Sequence, residues 1–174
     1  LAVFHLKSTT TYTMYSVTSL SELHRFDVDG PSLSLIFSPT THEAFVLLKD
    51  SGQVHMVNTN KDDGTVGQVL SKISASDGQT IQEAKMSTSG NYLILRTEEG
   101  FLLWNYKSNK VFKQFKIPNY IKPEHRVLDM FSSLQMDDKT FVVGYEGYLV
   151  VWDVAKGILK ACLEASKSKI NFLD

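Results

Sequence analysis

Three glycines, Gly52, Gly100 and Gly147, stand 48 and 47 residues apart, each in a polar turn between two short apolar runs. A repeat of this length constrains the fold more than any other feature of the chain. Periods of roughly 20–50 residues belong to solenoids, propellers and arrays. The third copy is the most legible. Residues 140–143 form a β-branched and aromatic run, Glu146-Gly147 makes a tight turn, and an apolar run leads to Trp152-Asp153. Ala155-Lys156-Gly157 then turns the chain again into residues 158–163. Short runs rich in Val and aromatics and bounded by Gly are strand signals, and the two turns make an antiparallel meander. Four or five residues after each turn glycine comes a bulky apolar residue followed by a polar one, at Val57-Asn58, Trp104-Asn105 and Trp152-Asp153. An equivalent pair is read at Phe4-His5, 53 residues before Val57.

The remaining segments supply four strands per period and no segment of helix length, which selects a propeller over helical solenoids. Residues 1–6 and a stretch within 8–20 read as two strands, and 19–26 as a helical turn. Asp27-Val28-Asp29-Gly30-Pro31 reads as turn chemistry, since Gly supplies positive φ and Pro presets φ. Strands follow at 32–37, 44–48, 54–57 and 69–73, then at 81–86, 92–96, 101–104 and 111–117. The last full unit takes 127–131, 140–143, the run ending at Trp152, and 158–163. Residues 169–174 open one more unit. The organisation expected is a partial unit at 1–30, complete units at 31–78, 79–119 and 120–166, and a first strand at 167–174.

Phe37-Ser38-Pro39 ending a first strand, Ser87-Thr88-Ser89-Gly90-Asn91-Tyr92 before a second, and Val151-Trp152-Asp153 ending a third resemble the WD-repeat family of β-propellers. The resemblance implies an all-β fold of four-stranded antiparallel blades, here about three complete units with partial units at both ends. Trp104 and Trp152 hold the family's Trp position, and Asp50 and Glu146 lie near its acidic turn position. The chain has no Gly-His dipeptide, and His125 stands only a residue or two before its strand, so the family's full hydrogen-bond network is not matched. Trp104, Trp152, Asp153, Gly52, Gly100 and Gly147 are read as structural. Such blades stack in closed rings, so the resemblance implies part of a larger propeller; the other reading is a four-bladed ring completed by residues 169–174.

The sequence points away from catalysis. The five histidines share no metal-ligand spacing, and a single cysteine cannot build a zinc site or an internal disulfide. Cys162 reads as an inert packed thiol, and lone-cysteine usage fits a reducing intracellular compartment, cytoplasmic or nuclear. Asp27-Val28-Asp29-Gly30 and Asp62-Asp63-Gly64 lack the later ligands of a calcium loop. Phosphate-cradling and nucleophile-elbow motifs do not occur. The expectation is therefore no enzyme, no cofactor and no metal. The longest apolar runs fall far short of the roughly 18 residues of a membrane span. A net charge of −1, from 18 basic and 19 acidic residues, gives no global field for nucleic acid or anionic lipid.

Two local features stand out as partner surfaces. Lys107, Lys110, Lys113, Lys116, Lys122 and Arg126 face Glu124 alone within one stretch, a local charge of +5. They read either as edge protection on an outer strand or as a basic rim for acidic protein, phosphoinositide or nucleic-acid backbone. Tyr120 and Ile121 lie between Pro118 and Pro123 on a stiffened loop, either as interface anchors or tucked beneath a neighbouring blade. The resulting expectation is a non-catalytic protein–protein interaction platform within a scaffold subunit of a larger assembly. The alternative is a module contacting nucleic acid or phosphoinositide through residues 107–126.

Overall fold

The computed structural model describes residues 2–5, 9–16, 18–60, 62–75, 79–126, 134–137 and 139–164. These form an all-β structure of repeated antiparallel sheets, each running in sequence order. The first sheet has three strands: β1 (Ala2–His5), β2 (Thr9–Tyr15) and β3 (Glu22–Asp29). The second has β4 (Ser32–Phe37), β5 (Glu43–Leu48), β6 (Val54–Asn58) and β7 (Val69–Ile73). The third has β8 (Glu83–Met86), β9 (Leu93–Arg96), β10 (Gly100–Asn105) and β11 (Lys110–Lys116). The fourth has β12 (Leu134–Met136), β13 (Thr140–Tyr145), β14 (Tyr148–Asp153) and β15 (Ile158–Glu164).

Three sequence expectations change. The 22–29 stretch, read as part helical turn and part loop, is a full strand paired with β2. Its alternation buries Phe26 and Val28 while Asp27 and Asp29 stay outside, so the turn is confined to Gly30-Pro31. The first sheet thus has three strands where two were read. A strand paired with β13 is Leu134–Met136, whereas the run at 127–131 lies outside the described residues, as does the whole unit assigned to 167–174, with the segment 169–174 in it. Phe4-His5 is not the counterpart of Trp152-Asp153, for a reason the sheets make physical.

In all three four-stranded sheets the register slips between the third and fourth strands: at Met56/Val57, Leu103/Trp104 and Val151/Trp152. Each slip is a β-bulge, which sharpens local twist and bends the strand. The bulky residue of the sequence motif marks it. The polar residue after it caps the following turn. Asn58 Oδ1 accepts from the Asn60 amide at 2.8 Å, Asn105 Oδ1 from Ser108 at 3.0 Å, and Asp153 Oδ1 from Lys156 at 2.8 Å. In the first sheet the slip falls between Met14 and Tyr15, on β2. Phe4 instead lies on β1, opposite Thr11. β2 and β3 therefore correspond to the last two strands of the other sheets.

The repeat glycines have separate local reasons. Gly147 takes φ 79° in the two-residue turn joining β13 to β14, a conformation that side chains disfavour. A Cβ at Gly100 would lie 2.0 Å from the Phe115 carbonyl oxygen, so only glycine admits the neighbouring backbone there.

The chain divides into two compact units, Leu1–Glu83 and Ala84–Asp174. In the first, Tyr12 and Phe26 are cross-strand partners stacked at 5.5 Å. They pack with Val28 on Ala44, Val46, Leu48 and Val57 of the second sheet. The second unit repeats the device with larger rings. Phe101 and Phe115 are opposite one another in the third sheet, as are Phe141 and Trp152 in the fourth. Ring centroids across the sheets lie 5.1 Å apart for Phe101–Phe141 and 5.2 Å for Phe115–Phe141. Middle strands are buried on both faces, and fourth strands are largely exposed.

Trp152 is 3% exposed at the centre of this cluster. Trp152→Ala is expected to cost about 3–5 kcal/mol in chemical denaturation of the whole chain. A loss below about 1 kcal/mol would show that the rings do not hold the second unit together.

Candidate functional site

The loop leaving β11 is built around a buried plug. Ile117 donates its amide to the Glu99 carbonyl at 3.0 Å, and Ile121 closes a turn onto the Pro118 carbonyl at 3.0 Å. Ile121 is 0% exposed and belongs to the same core as the four rings. It is therefore the loop's anchor into its own unit, not an accessible contact for a partner. Tyr120, one residue earlier, is 55% exposed. Pro123–His125 then forms a single 3₁₀ turn with proline at its start, where no amide is needed.

This turn is tied to the hairpin joining β13 and β14. The Glu146 amide donates to the His125 carbonyl at 3.2 Å, and His125 Nδ1 lies 3.2 Å from Glu146 Oε2. The imidazole also meets the Tyr148 ring edge-on, centroids 6.5 Å apart. Arg126 donates Nε to the Ile121 carbonyl at 2.9 Å, locking the plug to the end of the loop. Polar interaction with Cys162 of β15, then partial desolvation and the proximity of Tyr148, pushes the Tyr120 phenol up to about 12. Tyr120, His125, Glu146, Tyr148 and Cys162 thus converge from a loop, a turn and two strands. The group offers one imidazole–carboxylate pair, with an exposed phenol and a half-buried thiol nearby, at a partly open surface.

The basic residues do not share one face. Lys113 is half-buried on the side of β11 that carries Phe115, and a Cβ at Gly157 would lie 3.0 Å from its Cδ. Its ammonium stands 5.7 Å from the Phe112 ring centre. Lys116 projects from the opposite side, by strand alternation, and is exposed. Lys122 is exposed on the loop, and Arg126 is half-buried at its end. Local charge of +5 in sequence becomes charge spread around a strand. Trp104 is half-buried, and its indole nitrogen has no hydrogen-bond partner among the described residues.

Nothing in the sequence signals the His125–Glu146 pair, because 21 positions and two strands, β12 and β13, separate the two. Cys162, read as packed, is half-buried. Among the described residues no three His, Cys, Asp or Glu side chains converge as metal ligands, and no helix is long and apolar enough to cross a membrane. No protein-family model and no curated protein matches the chain.

Two outcomes follow from this geometry. Ile121→Ala should destabilise the protein by about 2–5 kcal/mol, and Tyr120→Ala by about 1 kcal/mol or less, in parallel urea titrations. Equal losses would place Tyr120 in the core. Burial also pushes up the phenols of Tyr12, where the bond with Ser32 acts in the opposite direction, and of Tyr145. A phenol with a raised folded-state value stabilises the fold below its unfolded value of about 10 and loses that contribution as pH rises further. Stability should therefore fall steadily above about pH 10, and Tyr145→Phe should flatten the decline.

Proposed function

We propose that the chain is part of a WD-repeat-like β-propeller serving as a non-catalytic protein–protein interaction platform, in a scaffold subunit of a larger intracellular complex, cytoplasmic or nuclear. One observation carries the reading. Consecutive four-stranded meanders repeat a bulge and a capped turn at the same place, 47 and 48 residues apart, at Val57-Asn58, Trp104-Asn105 and Trp152-Asp153. A propeller is the architecture in which such meanders succeed one another as blades, each sharing its core with the next.

The surface supports a protein partner over a polyanion. Tyr120 is 55% exposed on a loop held by Ile121 beneath it, and β15 exposes Ile158, Leu159 and Leu163 at 55%, 43% and 55%. A rigidly mounted aromatic side chain suits an interface anchor, since little conformational entropy is lost when it binds. The alternative, nucleic acid or phosphoinositide on residues 107–126, requires a concerted basic face, and Lys113 and Lys116 point to opposite sides of their strand.

The test is affinity capture with the intact chain and its Tyr120→Ala variant, after matching their thermal unfolding. The expected result is a stoichiometric protein partner retained by the wild type and lost from the variant. Retention of nucleic acid or anionic lipid instead, with log affinity falling by about 0.9 per log unit of salt for each phosphate contacted, would overturn the platform reading.

A further inference from the structure

β11 ends its sheet: among the described residues no strand pairs with its other edge. The register settles which of its backbone groups face that open edge. The Ile117 amide donates to the Glu99 carbonyl, and Lys116 lies opposite Gly100. Bonded and non-bonded pairs alternate along an antiparallel ladder, so Phe115 and Lys113 bond back to β10, while Gln114 and Lys116 turn their N–H and C=O groups outward. Both residues are exposed. The open edge therefore presents two donors and two acceptors at strand spacing.

Charge along this edge has one sign. Residues 107–116 hold Lys107, Lys110, Lys113 and Lys116 and no acidic residue. Lysine blunts an open edge against pairing. The corresponding strands β7 and β15 carry one lysine each, Lys72 and Lys160, and β15 adds Glu164, whereas β11 carries three lysines. These lie on both faces of the sheet, Lys113 with Phe115 and Lys116 opposite. A polyanion laid against one face meets only part of them. An added strand sends its own side chains alternately to both faces, so it can bring carboxylates to each lysine. Val111 and Phe112, 45% and 41% exposed near the start of β11, offer it apolar surface as well. A second copy of β11 would set lysine against lysine, which disfavours pairing between like edges.

We propose that the open edge of β11 takes up an extended acidic segment of a partner protein as a fifth strand of its sheet. Gln114 and Lys116 supply the main-chain pairing, and Lys110, Lys113 and Lys116 select for carboxylate side chains. This edge is separate from Tyr120 and can bind such a segment whether or not Tyr120 holds a partner.

The experiment uses the full chain and a synthetic peptide of glutamates interspersed with threonine, with carboxylates on both faces. A lysine-for-glutamate peptide, a short single-stranded DNA and phosphatidylserine vesicles are titrated beside it. Calorimetry measures binding, and amide hydrogen exchange locates it. The acidic peptide should bind, the lysine peptide should not, and exchange at Gln114 and Lys116 should slow by about tenfold or more. Lys110→Gln combined with Lys116→Gln should weaken binding by about 3- to 30-fold. Lys49→Gln combined with Lys72→Gln removes the same charge from exposed positions elsewhere and should change it by less than about twofold. Gln114→Pro deletes an outward donor at an edge position that tolerates proline, and should abolish binding. If that variant does not fold, slowed exchange in the wild type decides the matter. Absence of peptide binding, binding without slowed exchange at Gln114 and Lys116, or equal losses in the two lysine pairs would overturn the site. So would tighter binding of the DNA or the vesicles than of the peptide.

Discussion

Four rings, Phe101, Phe115, Phe141 and Trp152, hold the second unit together, and much else in it follows from their placement. Each pair is opposed across a strand ladder, so each sheet presents a rigid aromatic step to its neighbour. Phe141 stacks on Trp152 at 5.3 Å and 26°, while Phe101 meets Phe141 edge-on at 81°. Offset and edge-on contacts of this kind contribute beyond the area they bury. A four-stranded meander has little core of its own, so its stability comes from the face it shares. Phe101, Phe141 and Trp152 lie on buried middle strands, while the fourth strands are largely exposed, β11 burying only its Phe115 in the ring cluster.

The repeat is better described by its defects than by its strands. A bulge before the fourth strand and an Asx-type cap on the following turn recur in all three complete sheets. The bulge re-aims the outer strand, and the cap satisfies a turn amide that the ladder cannot reach. Val57 and Trp104 can therefore occupy equivalent places despite their different sizes. What the position requires is a side chain that packs at the slip, while the next residue needs an oxygen at the right distance from its backbone. Glycine recurs in the same spirit: at Gly100 because Phe115 approaches closely, at Gly147 because φ is positive.

The candidate site lies where a loop crosses from one sheet to the next. Ile121 plugs the core, Arg126 fastens the plug, and the His125 carbonyl receives the Glu146 amide, so the loop is fixed at three points. A loop so held presents Tyr120 outward on a fixed base.

The sequence by itself determined the all-β class, the period, most turns and most strands. These depend on local chemistry: alternation or short apolar runs, glycine at positive φ, and polar caps within three residues. It also marked Trp152 as core, since a large ring on a central strand has few other places to go. It misread 22–29 because Glu22, Arg25 and Asp27 punctuate that strand on its open side. It could not separate Tyr120 from Ile121, two adjacent apolar residues whose opposite fates are set by a core many residues away. Tertiary structure alone decided the burial of Ile121 beside the exposed Tyr120 and the pairing of His125 with Glu146. Each depends on which sheet face lies beside which, and that is settled by rings packing across sheets rather than by any neighbour in the chain.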